Sequence, residues 1–140
     1  MSRHWAVIAA GFSYFAIVFT LAFAMGMARV LLVAPRLGQT SAVFLEIPVL
    51  LTASWLVARQ LIRLRAFAFP QLVVIGGIAF ALTMIAEAVL AGSIRGQSVD
   101  QWAGDLTTPL GLVGLAAQLG FASIPVFAGG DKRRDRSGTP

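Results

Sequence analysis

Arg29–Glu46 reads RVLLVAPRLGQTSAVFLE. It joins two long apolar runs and places an arginine at its head and a glutamate at its tail, both inside segments that otherwise suit hydrocarbon. Pro35 lacks the N–H that a continuing helix needs, and Gly38 suits a tight reversal. A link this short, 35–40, makes the helices on either side antiparallel neighbours. Thr40 or Ser41 is placed to cap the second.

Outward from this elbow, the chain is dominated by apolar runs of about 20 residues, long enough to cross a hydrocarbon core of ~30 Å. The 140 residues are 58% hydrophobic and 12% charged, with mean hydropathy +0.83, whereas a soluble domain is closer to half apolar and a quarter charged. The alternating segments of a membrane β-barrel are absent. The expected fold is all-α: a polytopic membrane protein with four antiparallel transmembrane helices in one bundle over 1–128, at 6–34, 41–62, 67–92 and 109–127. Residues 129–140, rich in charge, Gly and Pro, read as a disordered basic tail. The basic lead and Ala22-Phe23-Ala24 imitate a secretory signal. The apolar run extends well past a signal core of about 7–15 residues, so the segment reads as a retained helix.

Within the runs, Pro48 falls early in helix two, where it starts or bends the helix. Gly77/Ala81 and Ala88/Gly92 on helix three have the spacing that lets helix backbones approach. The segment 93–108 reads as the one real loop, with Trp102 as an interfacial anchor. Asp105 or Thr107 is placed to cap helix four, with Pro109 in its first turn. There is no cysteine, and the single histidine, His4, precedes the first helix. Disulfides, thiolate metal sites and intramembrane haem or His-based metal centres are therefore excluded, and no cofactor is expected. An enzyme is not expected either, since few groups remain to do chemistry. The net charge of +5 does not point to nucleic acid, because the surplus sits beside the membrane segments.

Four spans put both termini on one side with Arg3, Arg59, Arg63, Arg65, Lys132, Arg133, Arg134 and Arg136. Arg29, Arg36 and Arg95, with Asp100 and Asp105, fall on the other. Cations mark the cytoplasmic face, so N-in and C-in is expected, with the elbow outside. In this arrangement Arg29, Glu46 and Glu87 lie on three helices at similar depth, beneath the elbow and Arg36. A charge facing lipid costs ~2.5–3.5 kcal/mol at the bilayer centre and less near an interface. The three are therefore expected to turn inward, with Arg29 pairing with Glu46, Glu87 or both. If both, either Arg36 descends to balance them or one glutamate takes a proton. Gln118 on helix four is a candidate for a polar pocket or an interhelical hydrogen bond.

The pattern Arg29…Pro35-Arg36-Leu37-Gly38…Ala42-Val43…Glu46-Ile47-Pro48…Ser54-Trp55…Arg59 resembles a family of small bacterial four-helix inner-membrane proteins of unknown function. The resemblance covers helices one and two and implies a bacterial inner-membrane location but no activity. Small multidrug exporters share the size but place their essential glutamate in helix one, which here has no acid. Four-helix fluoride channels depend on a pore asparagine, and this chain has none. Two functions remain. The first is a structural or accessory membrane protein, as a homo-oligomer or in a larger membrane complex. The second is a small proton-coupled transporter or channel using Glu87 or Glu46.

Overall fold

The computed structural model describes the backbone of residues 3–137 and the side chains of 3–129. It is all-α, with no strand among the described residues. Helix α1 (Arg3–Ala28) runs through a π-helical turn (Arg29–Val33) into the short α2 (Ala34–Leu37). Next come α3 (Gln39–Leu64), α4 (Phe69–Arg95), α5 (Val99–Leu106) and α6 (Pro109–Ser137). Four helical stretches are long and apolar enough to cross a membrane: Arg3–Leu37, Gln39–Leu64, Phe69–Arg95 and Pro109–Gly129. Large apolar side chains such as Phe12, Leu31, Leu56, Ile85 and Leu119 point outward along them, as contact with lipid requires.

The elbow is tighter than expected. Pro35 does not end the first helix, because the wider π turn before it shifts the hydrogen-bond register. Ala34 N–H bonds to Arg29 O across that turn, and Pro35 then falls in the first positions of α2, where a missing N–H costs nothing. The reversal is concentrated in Gly38, at φ +81°, a backbone region open chiefly to glycine. Neither Thr40 nor Ser41 caps the next helix: it starts at Gln39, directly after Gly38, with no side-chain cap.

Two further boundaries differ from the sequence reading. The expected loop 93–108 contains a helix, α5. Ser98 caps it by accepting from Gln101 N–H, while the Gln101 side chain accepts from Ser98 N–H, the reciprocal arrangement of a capping box. The cap of α6 is Thr108, whose hydroxyl accepts from Gly111 N–H at 3.1 Å, and neither Asp105 nor Thr107 fills that role. At its far end α6 continues past 127 to Ser137. Lys and Arg propagate a helix readily once it is nucleated. Residues 138–140, and the side chains of Lys132, Arg133, Arg134 and Arg136, lie outside the described residues.

The four long helices form a ring in which α1 packs on α3 and α4, and α6 packs on the same two. Thus α1 faces α6 across one diagonal, and α3 faces α4 across the other. The core fills only the half nearest the termini, with Val7, Ala10, Tyr14, Ala58, Leu72, Ile75, Phe121 and Ile124 among its buried members. Tyr14 crosses its centre. Its ring stacks on Phe121 with centroids 4.7 Å apart, and its hydroxyl donates to Phe121 O at 2.8 Å. That carbonyl has no ordinary helical partner, because the residue four positions on is Pro125, which has no N–H.

At Gly76 the backbones of α4 and α6 touch, and a Cβ there would overlap the Ala122 carbonyl, whereas one at Gly77 would meet nothing within 4 Å. Gly76→Ala should therefore cost roughly 1–3 kcal/mol, read as a lowered unfolding temperature in detergent micelles, while Gly77→Ala leaves stability unchanged or slightly raised. Equal effects of the two would contradict this packing.

Candidate functional site

The half of the bundle beneath the elbow is hollow. A cavity of about 650 Å³ lies between the four long helices, within the ~300–1,000 Å³ common for small-molecule sites. Its wall is mostly apolar, with Phe19, Leu50, Leu90, Leu115 and Phe121 among its lining. The polar side chains on that wall are Arg29, Gln39, Glu46, Ser54, Thr83, Glu87, Arg95, Asp105, Thr108 and Gln118. Ser54 and Thr83 spend their hydroxyl protons on their own helices, on Leu50 O and Ala79 O.

The charges sort into partners. Arg29, in the π turn, reaches across to α3, where its Nε lies 2.8 Å from Glu46 Oε2, and the two side chains are only 25% and 13% exposed. The Nε–H does not point along this contact, so it is an ion pair by distance and not an aligned hydrogen bond. Arg29 makes no ion pair with Glu87, so it does not hold both acids. Instead Glu87 is held from α6, with Gln118 Nε2 donating to its Oε1 at 2.5 Å. Arg36 stays out of the cluster: it is exposed, and its guanidinium donates to Leu32 O one turn back. The cation at the mouth is Arg95, at the end of α4, 3.9 Å from Asp105 on α5, and Gln97 also bonds to Asp105.

Sequence reasoning places Arg29, Glu46, Glu87 and Gln118 as candidates, and all four face this one cavity; Arg36 does not. Arg95 and Asp105 enter it only because α5 folds back over the bundle end, and the Ser98/Gln101 cap was the local signal for that helix. Among the described residues no three His, Asp or Glu side chains gather to hold a metal ion. No protein-family model, no curated protein and no solved structure matches this chain.

The Arg29–Glu46 pair closes the wall between α1 and α3. Removing either partner leaves a lone half-buried charge, whereas removing both does not. In a double-mutant cycle of Arg29→Gln and Glu46→Gln, thermal unfolding should give a coupling of roughly 0.5–3 kcal/mol. Losses that simply add would show that the pair holds nothing together.

Proposed function

We propose that this chain is a small multi-pass protein of a bacterial inner membrane, with both termini cytoplasmic, that acts as a proton-coupled carrier for a small molecule held in the cavity. One observation carries the reading. Glu87 faces a roomy, mostly apolar cavity with a neutral amide as its partner and no cation within ion-pair distance. The other cavity acids each have a cation, Glu46 through Arg29 and Asp105 through Arg95. A membrane carboxylate held in that way can exchange a proton for a ligand without dismantling an ion pair.

The placement of the termini rests on the excess of Arg and Lys on their side, and the bacterial inner membrane rests on the resemblance in helices one and two. A structural or accessory role, in a homo-oligomer or a larger membrane complex, is the second reading. The closed Arg29–Glu46 pair favours it, since that pair links two helices and needs no ligand. No enzymatic activity is proposed.

Two measurements test these readings. A reporter fused to the C-terminus and active only in the cytoplasm should be active; activity from the periplasmic reporter instead would reverse the topology. Protein reconstituted on a solid-supported membrane should give a transient charge displacement on an acid jump, as Glu87 takes a proton. The groups facing it are Gln118, Arg29, Glu46, Arg95 and Asp105. Glu87→Gln should abolish the transient and Glu46→Gln should leave it. A wild-type protein with no transient, or a Glu87→Gln variant that keeps it, overturns the carrier reading.

A further inference from the structure

The carrier reading leaves the ligand class open, and the polar atoms of the cavity narrow it. Glu87 and Gln118 are linked through one bond, with Gln118 Nε2 as donor and Glu87 Oε1 as acceptor. An ionised carboxylate only accepts, so it fixes which end of the amide faces it. The other end, Gln118 Oε1, is therefore directed elsewhere. It is fully buried and without a hydrogen-bond partner, so it is closed off from the open space where a ligand would sit. The second carboxylate oxygen of Glu87 is a further acceptor that no residue is shown to fill.

Charge points the same way. The described charged residues on the cavity wall are Arg29, Arg95, Glu46, Asp105 and Glu87, and the first four form two ion pairs. Glu87 has no ion-pair partner at contact distance, so the charged side chains on the wall sum to one surplus negative charge. The remaining wall is largely aliphatic and aromatic.

Resting on the carrier reading above, we propose that the cavity binds a protonated organic amine with an apolar body, its ammonium N–H groups donated to the Glu87 carboxylate. An anion would meet the surplus charge with repulsion. A neutral alcohol would fit the wall but leave that charge uncompensated. A quaternary ammonium would balance the charge but bring no N–H for the second Glu87 carboxylate oxygen. Proton and amine compete for one carboxylate: protonating Glu87 removes the counter-charge and releases the amine, which couples the two.

The test is titration calorimetry on the full chain in lipid nanodiscs, corrected against empty discs, with three probes sharing one body: naphthylmethylammonium, its N-trimethyl counterpart and naphthylmethanol. The primary ammonium should bind most tightly. Glu87→Gln should weaken it by roughly 10- to 100-fold, as expected for losing a charged hydrogen-bond acceptor. The same substitution should erase the preference for the primary over the trimethyl probe.

Gly114→Phe provides a variant that keeps every charge. Gly114 lines the cavity, and a Cβ there meets nothing within 4 Å, so the ring should fill the site and abolish binding. Ammonium binding no tighter than naphthylmethanol, or unaltered by Glu87→Gln or Gly114→Phe, overturns the proposal. Equal affinity for the trimethyl probe in the wild type overturns the N–H contact to the Glu87 carboxylate. If the Glu87-dependent charge transient survives while the ammonium preference is absent, the ligand class alone fails. If the transient is also lost, the carrier reading fails with it.

Discussion

The bundle depends on one backbone carbonyl. Pro125 cannot donate to Phe121 O, and in apolar surroundings an unpaired carbonyl is costly. Tyr14 supplies the missing proton from the opposite helix and stacks its ring on Phe121. This contact spans the diagonal between α1 and α6, whose backbones do not approach each other as those of neighbouring helices do. It sets the relative height of the two helices and so fixes where α3 and α4 must sit between them. The fully buried Tyr14, Pro125 and Ser54 lie around this crossing.

On one side of that crossing the helices are close. Gly76 lets α4 reach the backbone of α6 at Ala122, and Gly129 lies beside Leu72, where a Cβ would collide. On the other side Gly111 packs against the backbone at Asp105, while two other glycines face into the cavity. Gly26 on α1 and Gly114 on α6 both line the cavity and would meet nothing with an added Cβ. The same residue type therefore does opposite work at different positions. Where the partner backbone is near, glycine permits contact; where Tyr14 and Phe121 hold the helices apart, it enlarges the space. Polar side chains collect in the hollow half because there they can reach one another and stay clear of the apolar exterior.

Much of the architecture was legible in the sequence because hydrocarbon imposes a simple rule: long uninterrupted apolar runs become helices. The Arg29–Glu46 pair was legible too, since the residues flank one turn and a short link forces their helices together. The elbow itself was misread at Pro35, because a π turn is a change in hydrogen-bond register with no compositional mark. Helix α5 was written locally, in Ser98-Val99-Asp100-Gln101, but polar composition hid it. The partner of Glu87 was a choice between Arg29 and any polar group on other helices. That choice depends on the ring order of the helices, which apolar runs do not encode. Tyr14 was missed for a similar reason: Pro125 announces an orphaned carbonyl, but nothing along the chain says which helix will answer it.

The ring order has a consequence for how the protein is made. Helices α3 and α4 are consecutive yet diagonal, and of the long helices each has only α1 as a neighbour until α6 appears. Glu87 is synthesised 31 residues ahead of the Gln118 that bonds to it, and Phe121 and Pro125 come later still. A nascent chain that has inserted only three spans thus holds an acid without its amide and a tyrosine without its carbonyl. The last helix is the keystone of assembly, and a chain cut short before it would present both polar groups to whatever quality control patrols the membrane.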